Sequence, residues 1–159
     1  MATIFERHDH GACSDAALAR ADELAEARGL RLTPVRRRVL EILLERHRAF
    51  GAYEVLERLA AEGLGKQPPI AYRALDFLVE NGLAHRIQRL NAFTACQHLH
   101  ADDAPPAFLI CRECQTVAEI DAADLRSDLS SLARDAGFAV ERTTIEALGL
   151  CGTCARSAT

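Results

Sequence analysis

Two Cys-x-x-Cys pairs are the residues of this chain best suited to chemistry. Cys111 and Cys114 follow the apolar run that begins at Phe108, and Cys151 and Cys154 follow a second apolar run. Four thiolates brought to one point form a closed, tetrahedral zinc site with no open position for catalysis. Two disulfides would require an oxidising compartment, and the N-terminal residues lack the apolar segment that directs export. The sequence therefore predicts a structural zinc site in a cytoplasmic protein.

Length and composition narrow the class of protein. The 159 residues carry a net charge of −4, and 49% of them are hydrophobic. No stretch approaches the ~20 consecutive apolar residues that span a membrane, so we expect no membrane segment. The net charge excludes a uniformly basic nucleic-acid-binding protein, although it allows a local basic surface. The length suits one domain or two small ones.

The first half of the chain has the pattern of helices followed by a hairpin. Ser14 is a candidate N-cap for a helix that reaches about Arg28, and Thr33-Pro34 is a strong start for a second helix. The periodicity also predicts helices at about 52–62 and from the 65–69 loop to 81–82, and strands at about 83–88 and 92–96. This order is that of a winged helix-turn-helix domain, which we predict for residues 14–96. A helical bundle with an unrelated hairpin has the same periodicity.

Residues 1–13 form a polar arm ahead of these helices. The arm contains His8, His10 and Cys13, whose side chains are good zinc ligands. A metal clamp and a flexible arm that happens to contain these residues are both compatible with the pattern. We expect the flexible arm.

Four side chains of the first half are candidates for DNA contacts. Tyr72 and Arg73 lie near the start of the fourth helix, opposite its apolar stripe, where a recognition helix meets base edges. Arg36 on the second helix and Arg86 on the first strand are better placed for phosphates. A two-fold dimer presents two such helices, so the expected partner is double-stranded DNA containing an inverted repeat.

The second half predicts a hinge and a small second domain. Residues 97–107 lack periodicity and contain two prolines, so we interpret them as a hinge linker. Residues 108–159 show strands at 108–111 and 116–120, a helix at 122–136 and a β-rich run at 138–150. A unit this small is below the size at which a core is stable alone. We therefore expect zinc to join its ends and a second copy to cover its apolar face, which makes it an α/β dimerisation domain in an α+β protein.

Four motifs, in this order, resemble those of the ferric uptake regulator (Fur) family. They are Leu32-Thr33-Pro34-Val35-Arg36, Tyr72-Arg73-Ala74-Leu75, Phe108-Leu109-Ile110-Cys111-Arg112-Glu113-Cys114 and Cys151-Gly152-Thr153-Cys154. The resemblance covers about residues 14–154, and segments 71–78 and 145–151 are most similar to the zinc uptake regulator (Zur) branch. It implies a dimeric repressor that blocks genes of zinc acquisition when zinc is plentiful. It also implies a DNA-binding winged helix joined to an α/β dimerisation domain.

A metal-responsive repressor needs a second, weaker metal site near its hinge. The resemblance implies regulatory ligands at His85, Cys96 and Glu119, and an imidazole, a thiolate and a carboxylate make a suitable tetrahedral zinc set. The thiolate favours zinc over iron and manganese, which prefer nitrogen and oxygen ligands. We therefore expect two Zn²⁺ ions per chain, one structural and one regulatory.

Two histidines are candidates for the fourth regulatory ligand. Where some relatives place a histidine, this chain has Ala-Pro-Pro at residues 104–106. Either His98 or His100 then supplies the ligand, and the longer tether of His100 from Cys96 favours His100.

Three other functions compete with this interpretation. The chain could be a Fur-family sensor of iron, manganese or peroxide, or a zinc-ribbon adaptor that binds proteins. An enzyme could use Cys96, His98 and Glu119 as a nucleophile with an acid/base pair. No motif provides an oxyanion hole, however, and the thiol lies among metal-ligand residues, so we predict that the protein is not an enzyme. The exposed positions of Tyr72 and Arg73 weigh against the adaptor.

Overall fold

The structure, a computed structural model, describes residues 5, 10–97 and 106–157. Its elements are α1 (His10–Arg28), α2 (Pro34–Leu44), α3 (Ala52–Ala61), α4 (Pro68–Glu80), β1 (Ala84–Ile87), β2 (Ala92–Ala95), β3 (Ala107–Cys111), β4 (Val117–Ile120), α5 (Ala123–Asp135), β5 (Ile145–Gly149) and α6 (Gly152–Ser157). Helices α1–α4 with the β1–β2 hairpin form a winged helix, and the remaining elements form a small α/β unit. The predicted α+β class is confirmed.

Helices α2 and α4 form where local signals predict them. Thr33 Oγ1 accepts a hydrogen bond from the Arg36 N–H over 3.4 Å, and Pro34 occupies the first helical position. This cap satisfies an amide that the helix leaves without a partner, at a position where proline has no N–H to lose. The buried residues of α4 are the predicted apolar stripe, Ala71, Ala74, Leu75 and Leu78.

Helix α1 starts earlier than the sequence predicts. It begins at His10, not at Ser14, so part of the predicted arm is helical. The Ser14 hydroxyl donates a hydrogen bond of 2.9 Å to the carbonyl of Leu44 at the end of α2. Ser14 therefore fastens α1 to α2 instead of capping a helix. Residues 1–4 and 6–9 of the arm, His8 among them, lie outside the described residues.

One apolar core holds the winged helix together. Its fully buried side chains come from three helices and the segments around them: Val39, Ile42, Leu43, Phe50, Val55, Leu59, Leu75, Leu78 and Leu83. The antiparallel β1–β2 hairpin is joined to this core by paired backbone hydrogen bonds between Phe50 and Phe93, of 2.7 and 2.8 Å. These bonds fix the wing against the segment that follows α2.

The α/β unit is a three-stranded sheet in the order β4-β3-β5. Strand β3 pairs antiparallel with β4 and, after the α5 crossover, parallel with β5. The prediction of β structure throughout 138–150 is wrong, since only Ile145–Gly149 forms a strand. Ile145 pairs with Ala107, the first residue of β3, so the residues before Ile145 run past the end of their partner strand.

The outer face of the α/β unit is apolar and exposed in the single chain. Leu125, Leu129 and Leu132 of α5 are 53%, 44% and 68% exposed, and Phe138 is 66% exposed. Exposed apolar surfaces of this kind mark interaction sites. None of the helices in the described ranges has the length and hydrophobicity of a membrane-spanning segment.

Candidate metal centres and DNA interface

The four cysteines of the two pairs converge in the α/β unit. Cys111 ends β3, and the parallel pairing of β3 with β5 places Gly149 opposite it, so Cys151 arrives beside it. The four sulfur atoms lie within 4.8 Å of one another, and Cys114 Sγ is 3.8 Å from Cys151 Sγ. A tetrahedral site with Zn–S bonds of about 2.3 Å has sulfur–sulfur edges of about 3.8 Å. This cluster, predicted as structural, therefore has the donor set and spacing for zinc.

Backbone amides prepare this cluster for a cation. Burial opposes ionisation of Cys111, but N–H groups of Cys151, Cys114 and Glu113 point at its sulfur and lower its pKa to about 6. A hydrogen bond between the side chains of Cys154 and Cys151 raises the pKa of Cys154 to about 12. The amide groups thus favour a thiolate at Cys111, the form in which cysteine binds a metal ion.

The predicted regulatory residues also converge, at the junction of the two units. His85 lies on β1, Cys96 follows β2 and Glu119 lies on β4. Glu119 Oε1 is 3.4 Å from His85 Nε2 and 3.7 Å from Cys96 Sγ. In a tetrahedral zinc site the corresponding edges are about 3.4 Å and 3.6 Å. Both contacts of Glu119 are therefore spaced for zinc, while His98 and His100, the candidates for the fourth ligand, lie outside the described residues.

Glu119 is the part of this cluster that belongs to the α/β unit. Its side chain is 1% exposed, and its Oε2 accepts a hydrogen bond of 2.9 Å from the backbone N–H of Gln97. The aromatic rings of His85 and Phe108 are 5.3 Å apart, which adds an apolar wall. A carboxylate held in such a dry position needs positive charge nearby. A cation bound here would join the wing to β4.

Other contacts between the units surround the cluster. Glu146 on β5 accepts hydrogen bonds from the backbone N–H groups of Gln88 and Arg89 in the wing loop, of 2.6 and 2.9 Å. Ile87 of the wing packs with Phe108, Ile110 and Val117 of the α/β unit in a second apolar cluster. The predicted regulatory residues therefore lie in an interface that also has contacts independent of metal.

The candidate DNA contacts divide into two groups. Tyr72 is 39% exposed and Arg73 is exposed, both on the free face of α4. Arg86 on the wing is also exposed, and its guanidinium hydrogen-bonds to Asn91 Oδ1 over 2.7 Å. Arg36 is half-buried, because its guanidinium lies 3.7 Å from the centre of the Phe77 ring and donates to the Arg31 carbonyl. Arg36 therefore also braces α4.

Sequence reasoning missed one candidate ligand. His47, which follows α2, lies with His10 and Cys13 in a third group of metal-ligand residues. The spacing of His10 and Cys13 was visible in the sequence, but nothing near His47 pairs it with them. Only the packing of α1 on α2 brings the three together.

Comparisons of sequence and of structure with known proteins point to the same family. Residues 27–148 match the model of the ferric uptake regulator family. The chain is 36% identical over 137 residues to the zinc uptake regulation protein of Escherichia coli (strain K12), covering 86% of this chain and 80% of the relative. It superimposes on a zinc uptake regulator complexed with zinc and DNA with a TM-score of 0.85 at 34% identity, covering 91% of this chain and 97% of the other.

Two further solved structures are those of XcZur, in a holo and an apo form. The holo form of XcZur, 37% identical, superimposes with a TM-score of 0.79 and covers 87% of this chain and 96% of its own. The apo form of XcZur superimposes with a TM-score of only 0.51, over 89% and 97% of the two chains. The chain is therefore more similar in structure to the holo form than to the apo form. This chain belongs to the ferric uptake regulator family and is similar to its zinc uptake regulators.

Proposed function

We propose that this chain is a zinc-responsive transcriptional repressor of zinc-uptake genes, which binds inverted-repeat DNA as a zinc-loaded homodimer. The observation that carries the proposal is the cluster of His85, Cys96 and Glu119. Two of its ligands belong to the winged helix and one to the α/β unit, so a single ion fixes how the DNA-binding unit is held. Metal concentration is thereby coupled to the spacing of the two recognition helices of a dimer.

The regulatory ion acts by changing which arrangement of the units is stable. Without a cation, the Glu119 carboxylate is buried at the junction at a cost in desolvation, which favours separation of the wing from β4. Zinc binds the joined arrangement more tightly than the separated one and so shifts the population toward it. The higher similarity to holo XcZur than to apo XcZur supports this account.

The donor set selects the metal. Cys96 provides a soft thiolate, which suits zinc better than iron or manganese. Each chain holds two Zn²⁺ ions in this proposal, one at the four-cysteine site and one at the regulatory cluster. His98 or His100 completes the regulatory site. The four-cysteine site is closed and stabilises the α/β unit, whereas the regulatory site is the one that exchanges metal.

The exposed apolar face of α5 forms the homodimer interface, and α4 reads the DNA. Arg73 and Tyr72 are placed for base edges, while Arg36 and Arg86 are placed for phosphates. Since its target is genomic DNA and its thiols must stay reduced, the protein works in the cytoplasm.

Selection from a pool of random duplexes tests this function. Zinc-loaded protein should enrich an inverted repeat, and a chelator that removes only the regulatory zinc should release the bound DNA. Enrichment of a repeat without two-fold symmetry would contradict the homodimer. Binding that persists after the regulatory zinc is removed would contradict zinc control.

A further inference from the structure

A third group of metal-ligand side chains lies where α1 packs against the end of α2. His10 and Cys13 are three residues apart in the first turns of α1, so they face the same side of the helix. One ligand atom from each of His10, Cys13 and His47 lies within 4.8 Å of the other two. The imidazole rings of His10 and His47 have centres 4.5 Å apart. None of these residues belongs to the two centres described above.

A small cavity opens between these side chains. Its volume is about 20 Å³, and its walls include His10, Cys13 and His47 together with Thr94 and Gln97. A polar cavity of ~10–15 Å³ already accommodates one water molecule. This cavity therefore has room for a single ion, and it is lined on one side by three good ligands.

The donor set suits zinc. Two imidazole nitrogens and a thiolate are borderline-soft ligands, and in a tetrahedral zinc site such atoms lie about 3.3–3.6 Å apart. The three ligand atoms lie within 4.8 Å of one another, so an ion would bind there after the side chains rotate toward it. Arg20 and Arg46 also line the cavity, and their charge opposes a dication. The site should therefore bind metal more weakly than the other two.

His47 connects this group to the regulatory cluster. Its carbonyl accepts a hydrogen bond of 2.9 Å from the N–H of Val117 on β4. Its Nδ1 lies 3.3 Å from Nε2 of Gln97, whose backbone N–H donates to Glu119. A ligand histidine is held in place by contacts of this kind to its second nitrogen and its backbone. The position of His47 is thus set by the same junction that holds the regulatory residues.

We propose that His10, Cys13 and His47 bind a third divalent ion of the zinc class, which fastens the start of α1 to the junction between the two units. The ion joins α1 to the segment that follows α2, next to Gln97. It adds to the hydrogen bond from Ser14 to Leu44 and the ion pair between Asp22 and Arg37, which join the same two helices. Its occupancy is set by free zinc at concentrations above those that fill the regulatory site.

Equilibrium dialysis against zinc, followed by metal analysis, tests this site without DNA. The wild-type chain should hold three zinc ions at saturation, while Cys13→Ser and His47→Ala should each hold two. Arg46→Ala is the matched control, because Arg46 lines the same cavity without a ligand atom for zinc, and it should hold three. In a Cys96→Ser background, Co²⁺ should produce thiolate charge-transfer absorption from the third site that Cys13→Ser removes.

Two results would overturn the proposal: a wild type that holds no more zinc at saturation than Cys13→Ser, or, in the Cys96→Ser background, Co²⁺ charge-transfer absorption that Cys13→Ser leaves unchanged. If His47→Ala fails to fold, the comparison of Cys13→Ser with wild type is sufficient. Cys13 is half-exposed, so the circular dichroism spectrum of Cys13→Ser should match that of the wild type. Since no DNA is present, failure of zinc-controlled DNA binding leaves this measurement unaffected. The proposed repressor function and the third site are therefore separable.

Discussion

Replacing Cys111 with serine should unfold the α/β unit and leave the winged helix folded. The largest apolar side chains buried in the α/β unit are Phe108, Ile110 and Val117. At about 1.5–3 kcal/mol each, they contribute about 5–9 kcal/mol together. A four-cysteine zinc site contributes about 10–16 kcal/mol of apparent binding free energy to folding. Zinc binding contributes more to folding than the buried apolar side chains do, so the sheet should unfold when the zinc is lost.

Hydrogen exchange resolves the two units in one experiment. In Cys111→Ser, amides of β3, β4 and β5 should lose protection, while those of α2, α3 and α4 should keep it, because their core contains no zinc ligand. Cys13→Ser makes the same chemical change outside the four-cysteine cluster and should retain protection in the sheet. The reasoning is refuted if Cys111→Ser lacks the structural zinc and still gives a protected sheet and a dimer.

Three further predictions concern the regulatory zinc, DNA and pH. Cys96→Ser should remain a folded dimer with its four-cysteine zinc, but its DNA affinity should no longer rise with added zinc; an unchanged zinc titration excludes Cys96 as a ligand. Arg73→Ala should cost about 1–3 kcal/mol and relax the preference at one base position, whereas Arg86→Ala should weaken all sequences alike and reduce the salt slope by about one. As pH falls through about 6, the Cys111 thiolate takes up a proton, so zinc must displace one more proton. Competition with a chelator should then show the pH dependence of zinc affinity becoming steeper by about one proton, and a constant slope from pH 8 to 5 would contradict the lowered pKa.

Local signals were sufficient to predict the helices of the winged helix. Thr33 and Pro34 act within one turn, and the apolar stripe of α4 repeats with the helical period, so neither depends on distant parts of the chain. The predicted start of α1 was wrong because the Ser14 hydroxyl donates to a neighbouring helix instead of capping α1. The predicted length of β5 was wrong because the strand starts where its partner β3 starts, and the sequence of one segment does not show where its partner begins. Helix α6 was missed, since six residues are too few to show a period.

The metal ligands were predictable to the extent that their spacing was local. The two Cys-x-x-Cys pairs are recognisable from their spacing alone. The resemblance to the family supplied His85, Cys96 and Glu119, which the fold brings together. His47 carries no local signal, because its distance from Cys13 depends on how α1 packs. The choice between His98 and His100 stays a prediction, since both lie outside the described residues.

The central claim is that zinc at Glu119 joins the two units into the arrangement that binds DNA. Two glutamates of the α/β unit allow a matched test. Both accept backbone amide hydrogen bonds across the junction, Glu119 from Gln97 just after the wing and Glu146 from the wing loop, but only Glu119 lies in the candidate metal cluster. The measurement is DNA affinity against free zinc for wild type, Glu119→Gln and Glu146→Gln on a selected inverted repeat. Wild type and Glu146→Gln should bind about 5–150-fold more tightly with zinc, the usual range of allosteric coupling, and Glu119→Gln should not respond. Full zinc dependence in Glu119→Gln, or its loss in Glu146→Gln alone, would contradict the account.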